Sequence, residues 1–490
     1  MTSETLDAVP GRSSGTERFE HWIGGRGVAP LGGAYRQTTS PIDRSVSFEI
    51  ADGDGRDVDA AAAAASAARV RWATTSTTER SETLRAIGRA VRDNLDQLIE
   101  AEIAETGKLD AFARAEMLSC ADYFEYYAAV VRTVHGETID QGPGQHTYVR
   151  HEPFGVVAII APWNGPLNQA SRGIAPALAA GNTVILKPSE FTSAATLRFA
   201  RLASEAGLPD GVLNVVTGTG PAAGAALVRH PEVRRVTFTG SVPTGRTIAA
   251  LAAERIIPVT LELGGKSPLL VFADADLDRA ARAAVATALM NSGQVCSATT
   301  RLIVERSVQE DLLSRISAIL VQKRPGVDFG PIITEPQFDK VLGFFASAAE
   351  QGATLVTGGT RYQEGAVAEG RYLPPTLYKD VTPDMRIACE EIFGPVLVAL
   401  PFDTFGEAIS LANGTDYGLA SAVWTGDAAR GLRAAHLIEA GQVSVNGGVM
   451  TQETPFGGYK NSGYGREKGA SAIYEYTQVK TVGLDLASRA

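Results

Sequence analysis

The chain has 490 residues, of which 44% are hydrophobic and 20% charged, the profile of a globular protein with two or three domains and a large core. Its net charge of −10 argues against a nucleic-acid-binding surface, and no apolar run reaches the ~18 residues of a membrane span. Three cysteines (Cys120, Cys296, Cys389) and six histidines without a spaced cluster exclude a disulfide framework, predict no metal site and fit a reducing cytoplasm.

Residues 1–18 are polar and rich in Ser, Thr and Gly, and read as a disordered lead-in. The Ala-rich stretch 57–103 carries charges at helical spacing and predicts two helices with exposed faces. Residues 136–152 hold β-formers around Gly142-Pro143-Gly144 and predict a hairpin with no core of its own. A regular alternation then begins. Strands are expected at 154–160, 182–187, 211–216, 233–239 and 257–261, with helices at 167–180, 193–206, 221–229 and 243–253 between them. Gly181 and Gly207 stop two of these helices. Such alternation means βαβ units and a parallel, doubly wound sheet. A second α/β block runs from 267 to about 441, with strands at 301–305 and 396–400. Residues 474–484 form one more extended segment. The expected fold is therefore α/β, with two doubly wound parallel-sheet domains and a small β oligomerisation element. Residues 1–133 and 154–262 form the cofactor domain, 263–464 the catalytic domain, and 134–153 with 465–490 the oligomerisation element.

Two glycine-rich segments each present one reactive group. Gly293-Gln294-Val295-Cys296-Ser297 offers a thiol. Leu261-Glu262-Leu263-Gly264-Gly265-Lys266 offers a carboxylate. A thiol nucleophile with a carboxylate base points to covalent catalysis followed by hydrolysis. A lone cysteine is as often a small buried hydrophobe. Lys187-Pro188-Ser189-Glu190 follows a strand at the edge where open α/β sheets bind ligands. Its Lys and Glu suit a ribose diol, although a solvated loop looks the same. Phe238-Thr239-Gly240-Ser241-Val242-Pro243 ends a strand and caps a helix, giving free N–H groups for a pyrophosphate or a capped helix without a ligand. Gly218-Thr219-Gly220 with Gly224 departs from the dinucleotide fingerprint, so a plain tight turn explains it about as well.

Taken in order, the segments at 187–190, 238–241, 261–266 and 293–296 and four others resemble the aldehyde dehydrogenase superfamily from about residue 19 to 484. The others are Pro162-Trp163-Asn164, the run from Pro176 to Asn182, Glu390-Glu391-Ile392-Phe393-Gly394-Pro395, and the run from Pro455 to Gly463. The resemblance implies oxidation of an aldehyde to a carboxylic acid with NAD. It implies that Cys296 forms a thiohemiacetal and then a thioester, that Asn164 and the Cys296 N–H make the oxyanion hole, and that Glu262 activates water. It places Lys187 and Glu190 at the adenosine ribose, Ser241 at the pyrophosphate, and Ser189, Gly220, Gly240 and Leu263 around the cofactor. Glu391 and Phe393 fall at the nicotinamide riboside and ring, with Trp163 near the cofactor. Glu190 should repel a 2′-phosphate and favour NAD, while Lys187 leaves NADP open.

The substrate pocket is expected at Gly165, Asn168, Arg172, Val295 and Ser297. Many relatives carry an aromatic residue after Pro-Trp-Asn, so Gly165 should open the pocket wall. Arg172 lies two helical turns from Asn164, about 12 Å along the axis. It suits a carboxylate or phenolate tail, as in a semialdehyde or a hydroxylated or aromatic aldehyde, or else a structural ion pair. Residues 323–330 form a shorter segment than in typical members. The assembly is expected to be a homodimer or homotetramer, the hairpin of one subunit lying against its neighbour. Two further classes stay in view: an acyl-transferring relative that uses coenzyme A, against which Glu262 argues, and a catalytically silent binding protein, against which Cys296, Asn164 and Glu262 argue.

Overall fold

The computed structural model describes residues 16–486. The expectation for the lead-in therefore lies outside the described residues up to 15. Its last residue departs from it, because Arg18–Phe19 is already a strand paired with Val46–Ala51. The Ala-rich region makes three helices rather than two: Gly55–Thr74, Thr77–Asp93 and Leu95–Thr106. Asp54 and Ser76 each close a capping box, which starts the first two helices and separates them.

The first large sheet has eight strands. Its parallel centre runs Val259–Glu262, Val233–Thr239, Val156–Ile160, Thr183–Lys187 and Leu213–Val215. Antiparallel strands finish both edges, Gly463–Tyr464 on one side and His21–Ile23 followed by Arg26–Val28 on the other. Val156–Ile160 is buried at every position because helices cover both faces. Val157 and Ile159 enter one hydrophobic cluster; Val156, Ala158 and Ile160 enter the other. The expected helix at 221–229 is instead a wide turn, Gly220–Gly224, followed by a short helix, Ala225–Arg229.

The second sheet has seven strands, parallel except for the edge strand Thr354–Thr357. Its centre is Arg301–Glu305 between Val396–Phe402 and Pro268–Val271.

The hairpin strands Glu137–Ile139 and Gln145–Pro153 form a third, small sheet with Thr477–Asp485 of the same chain. The long hairpin strand is thus central and already paired on both sides. The sheet-forming part of the C-terminal segment begins only at Thr477, since Tyr474 lies on a 3-10 turn and Ile473 and Tyr476 are buried in the core. Among the described residues no helix is long and apolar enough to cross a membrane.

Candidate active site

The parallel sheet delivers several chain segments to one edge. Asn164 follows Val156–Ile160, Lys187 ends its strand, Ser241 follows Val233–Thr239, and Glu262 ends Val259–Glu262. This is the carboxyl edge, where crossover connections leave a crevice. The loop carrying Cys296 meets it from the other sheet.

Glycines make that meeting possible. A Cβ on Gly265 would lie 2.6 Å from the Cys296 carbonyl oxygen. A Cβ on Gly264 would lie 2.3 Å from a Glu391 carboxylate oxygen, and one on Gly293 2.0 Å from the Gly394 carbonyl oxygen. The Glu262, Cys296 and Glu391–Phe393 segments therefore touch through bare backbone. Asn291 and Ser292 adopt left-handed conformations just before Gly293, a costly turn that aims the Cys296 loop.

Asn164 is buried, and its Nδ2 donates to the Gln294 carbonyl at 2.9 Å. The Asn291 side chain in turn donates to the Asn164 carbonyl at 2.9 Å. Burial pushes the Cys296 thiol up to about 12; Arg172 opposes this, while Glu391, Glu262 and Glu467 add to it. Glu262 is 2% exposed, and neither of its carboxylate oxygens has a hydrogen-bond partner. Burial holds its proton affinity well above the carboxylate range, reinforced by Glu467 and opposed by Arg172 and Arg466.

Arg172 stands among these groups. Its guanidinium lies 3.9 Å from the Glu467 carboxylate and 5.0 Å above the Phe456 ring, and its charge acts on the buried Tyr123 hydroxyl. Its Nε has no partner. Val295 and Ser297 flank Cys296, both half-buried. Asn168 is buried and donates to the Glu116 carbonyl at 3.3 Å.

Gly165 does not open the pocket as expected. A Cβ there would meet Glu116 Oε1 at 3.1 Å, so a carboxylate from another helix occupies that wall. Glu116 is anchored by the buried Lys108, which also pairs with Glu102 at 2.6 Å.

On the other flank, Lys187 Nζ is 3.4 Å from the Glu190 carboxylate and donates to the Pro188 carbonyl at 2.7 Å. The buried Ser189 accepts from the Phe191 N–H. Ser241 caps Val242–Ala253 by accepting from Thr244, and its helix turn is exposed. Gly240 is packed against the Phe238 ring, and Leu263 against Gly245. Gly220 is exposed with open space around it; the close approach to Lys187 is made by Gly224. The Trp163 and Phe393 rings meet edge to face at 5.4 Å. Glu391 accepts from the Gly265 N–H at 3.1 Å, and Gln337 fixes the Ile392 and Phe393 carbonyls.

Sequence reasoning missed Glu467, Tyr123, Phe456, Glu116 and Lys108 as neighbours of the site. Glu467 follows a motif that was recognised, in Gly465-Arg466-Glu467, and forms an isolated bridge with Phe456. Phe456 sits inside the recognised run from Pro455 to Gly463, while Tyr123, Glu116 and Lys108 had no local signal. A cavity of about 860 Å³ lies behind the Cys296 loop, bordered by Lys108, Phe112, Met290, Asn291 and the short 323–330 segment.

A thiol, a carboxylate and an amide gathered at strand ends beside a capped helix describe an oxidoreductase of the α/β class. The chain belongs to the aldehyde dehydrogenase family, whose model matches residues 32–482. It is similar to an NAD-dependent aldehyde dehydrogenase from Sinorhizobium meliloti, with 40% identity over 97% of this chain and 96% of that one, TM-score 0.94. An aldehyde dehydrogenase from Bacillus cereus, solved as its NAD+ complex, is 38% identical over 96% of this chain and 97% of that one, TM-score 0.93. A betaine aldehyde dehydrogenase from Staphylococcus aureus in complex with NAD+ is 34% identical over 96% and 95%, TM-score 0.94.

Proposed function

We propose that this chain is a hydrolytic, NAD-dependent aldehyde dehydrogenase working through Cys296. The observation that carries the reading is Glu262: a buried carboxylate with both oxygens unpartnered, on the loop that presses against the Cys296 backbone.

The residues fit a dinucleotide. Lys187 and Glu190 offer a donor and an acceptor to a ribose diol, and the exposed helix start at Ser241 suits a pyrophosphate. Trp163, Glu391 and Phe393 line the approach to Cys296. NAD, when bound, supplies the hydride acceptor and a positive ring that favours a thiolate.

Cys296 Sγ adds to the aldehyde carbonyl carbon. The resulting oxyanion is held by Asn164 Nδ2, whose second hydrogen remains to be donated, and by the Cys296 N–H. Loss of hydride leaves an acyl thioester on Cys296. Glu262 takes a proton from water, the hydroxide displaces Sγ, and the acid leaves. Raised proton affinity makes Glu262 a more effective base near neutral pH.

The substrate reading is an aldehyde with a polar or aromatic tail, a semialdehyde or a hydroxylated ring. Arg172, Phe456 and the Tyr123 hydroxyl supply a cation, a ring face and a hydrogen-bonding group. The Arg172–Glu467 pair supports a second role for Arg172, tuning the carboxylates. The small sheet presents exposed Ile139, Val479 and Leu484, which supports a homodimer or homotetramer. Because its long hairpin strand is already paired, the edges left for a second copy are Thr477–Asp485 and Glu137–Ile139. Three free cysteines fit a reducing cytoplasm.

The test is NADH formation across a panel of aliphatic, aromatic, hydroxylated and carboxylate-bearing aldehydes, with and without coenzyme A. Turnover without coenzyme A is expected, fastest on tailed substrates. Strict dependence on coenzyme A would replace the hydrolytic reading by the acyl-transferring one.

A further inference from the structure

Asn164 is followed at once by Gly165, which opens the 14-residue helix Pro166–Ala179 without any side-chain cap. A capping side chain ordinarily takes the N–H groups of the second or third helical residue, here Leu167 and Asn168. Pro166 has no N–H to satisfy. The space where a side chain at 165 would stand is taken by Glu116, from the helix Asp110–Val130. Its Oε1 faces Gly165, and its backbone carbonyl accepts from the Asn168 side chain. Its Oε2 is held by Lys108, whose side chain is fully buried and held from the other side by Glu102. A carboxylate at a helix N-terminus is favourable, and this one is fixed by a buried cation that is itself fixed.

We propose that Glu116, braced by Lys108, is a positioning residue for Asn164, replacing in space the cap that Gly165 lacks. It sets where the helix begins, and so where the preceding Asn164 amide points. The inference rests on the oxyanion role assigned to Asn164 above.

The Gly165 backbone, at φ −157° and ψ 62°, lies outside the left-handed region, and the tightest neighbour a side chain there would meet is Glu116. This allows a coupled test. Single-turnover hydride transfer is measured with a short aliphatic aldehyde, alongside NAD affinity and thermal midpoint. Asn164→Ala should slow transfer by ~100-fold or more, the usual cost of an oxyanion donor. Glu116→Gln, which keeps the packing, should slow transfer about 10-fold, with NAD affinity unchanged, as small misplacement of a catalytic group does. Gly165→Ser should slow transfer in the wild-type background. In the Glu116→Ala background the same serine should restore transfer, because the vacated space admits a cap.

Wild-type transfer rates in Glu116→Gln would overturn the proposal. So would additive effects of the serine and alanine changes. If Glu116→Ala does not fold, Glu116→Gln alone decides the matter by its split between transfer rate and NAD affinity. A wild-type rate in Asn164→Ala would instead remove the oxyanion role, and with it the basis for this inference.

Discussion

The two flanks of Cys296 are built by different physics. On the cofactor flank the groups for the ribose and pyrophosphate belong to short, local devices: Lys187 and Glu190 on one strand end, Ser241 on one helix cap. On the substrate flank the groups come from far apart in the chain. Glu116, Tyr123, Arg172, Phe456 and Glu467 meet only after folding, mostly as buried charges and rings. Local devices bind a constant ligand robustly. A buried charge network is sensitive, because each member sets the protonation of the others.

The comparison predicts sharp losses at Cys296, strong pH coupling on the substrate flank and milder, cofactor-specific effects on the other. Cys296→Ala should abolish turnover, since the covalent step has no substitute, while NAD affinity measured by titration stays at the wild-type value. Retained turnover would place the nucleophile elsewhere.

Arg172→Leu removes the charge that lowers the proton affinities of Cys296, Glu262 and Glu467. The acid limb of the kcat/KM profile should therefore move to higher pH. For a carboxylate-tailed aldehyde KM should also rise by roughly 10-fold, the worth of a charged hydrogen bond. An unchanged profile with a raised KM would make Arg172 purely a substrate contact; a shifted profile with equal loss on all aldehydes would make it purely a tuning group.

Glu467→Gln is expected to show a smaller effect, in stability. Burial raises the Glu467 pKa from the usual carboxylate range to about 7. A raised carboxylate contributes stability that is complete below the unfolded value and is lost as pH climbs through about 7. The thermal midpoint of Glu467→Gln relative to wild type should thus rise by roughly a few degrees between pH 5 and pH 8. A difference independent of pH would contradict the raised proton affinity of Glu467.

The smallest effect is expected at Glu190. Wild type should prefer NAD to NADP in kcat/KM, and Glu190→Gln should narrow the preference by removing repulsion of a 2′-phosphate. Equal use of the two cofactors by wild type would end that account.

Legibility in the sequence follows the same division. Val156–Ile160 and Thr183–Lys187 were readable because full burial leaves unbroken apolar runs, and Ser241 because capping is written in adjacent residues. The helix break at Thr75 and Ser76 was hidden by uniform Ala and charge content. Gly165 was misread because an absent side chain reveals nothing about what fills its space. Glu116 lies 49 positions earlier, and only the packing of two helices brings them together. Glu467 stood four residues beyond a glycine-rich motif whose chemistry seemed complete without it.

The central claim is an acyl thioester on Cys296 that Glu262 hydrolyses. Intact-protein and peptide mass spectrometry of Glu262→Gln, mixed with NAD and a good aldehyde and quenched in acid, tests it most directly. The account predicts a burst of NADH matching the number of sites and an added mass equal to the substrate's acyl group, located on Cys296. A variant that turns over at the wild-type rate with no adduct, or that carries its adduct on another residue, would contradict it.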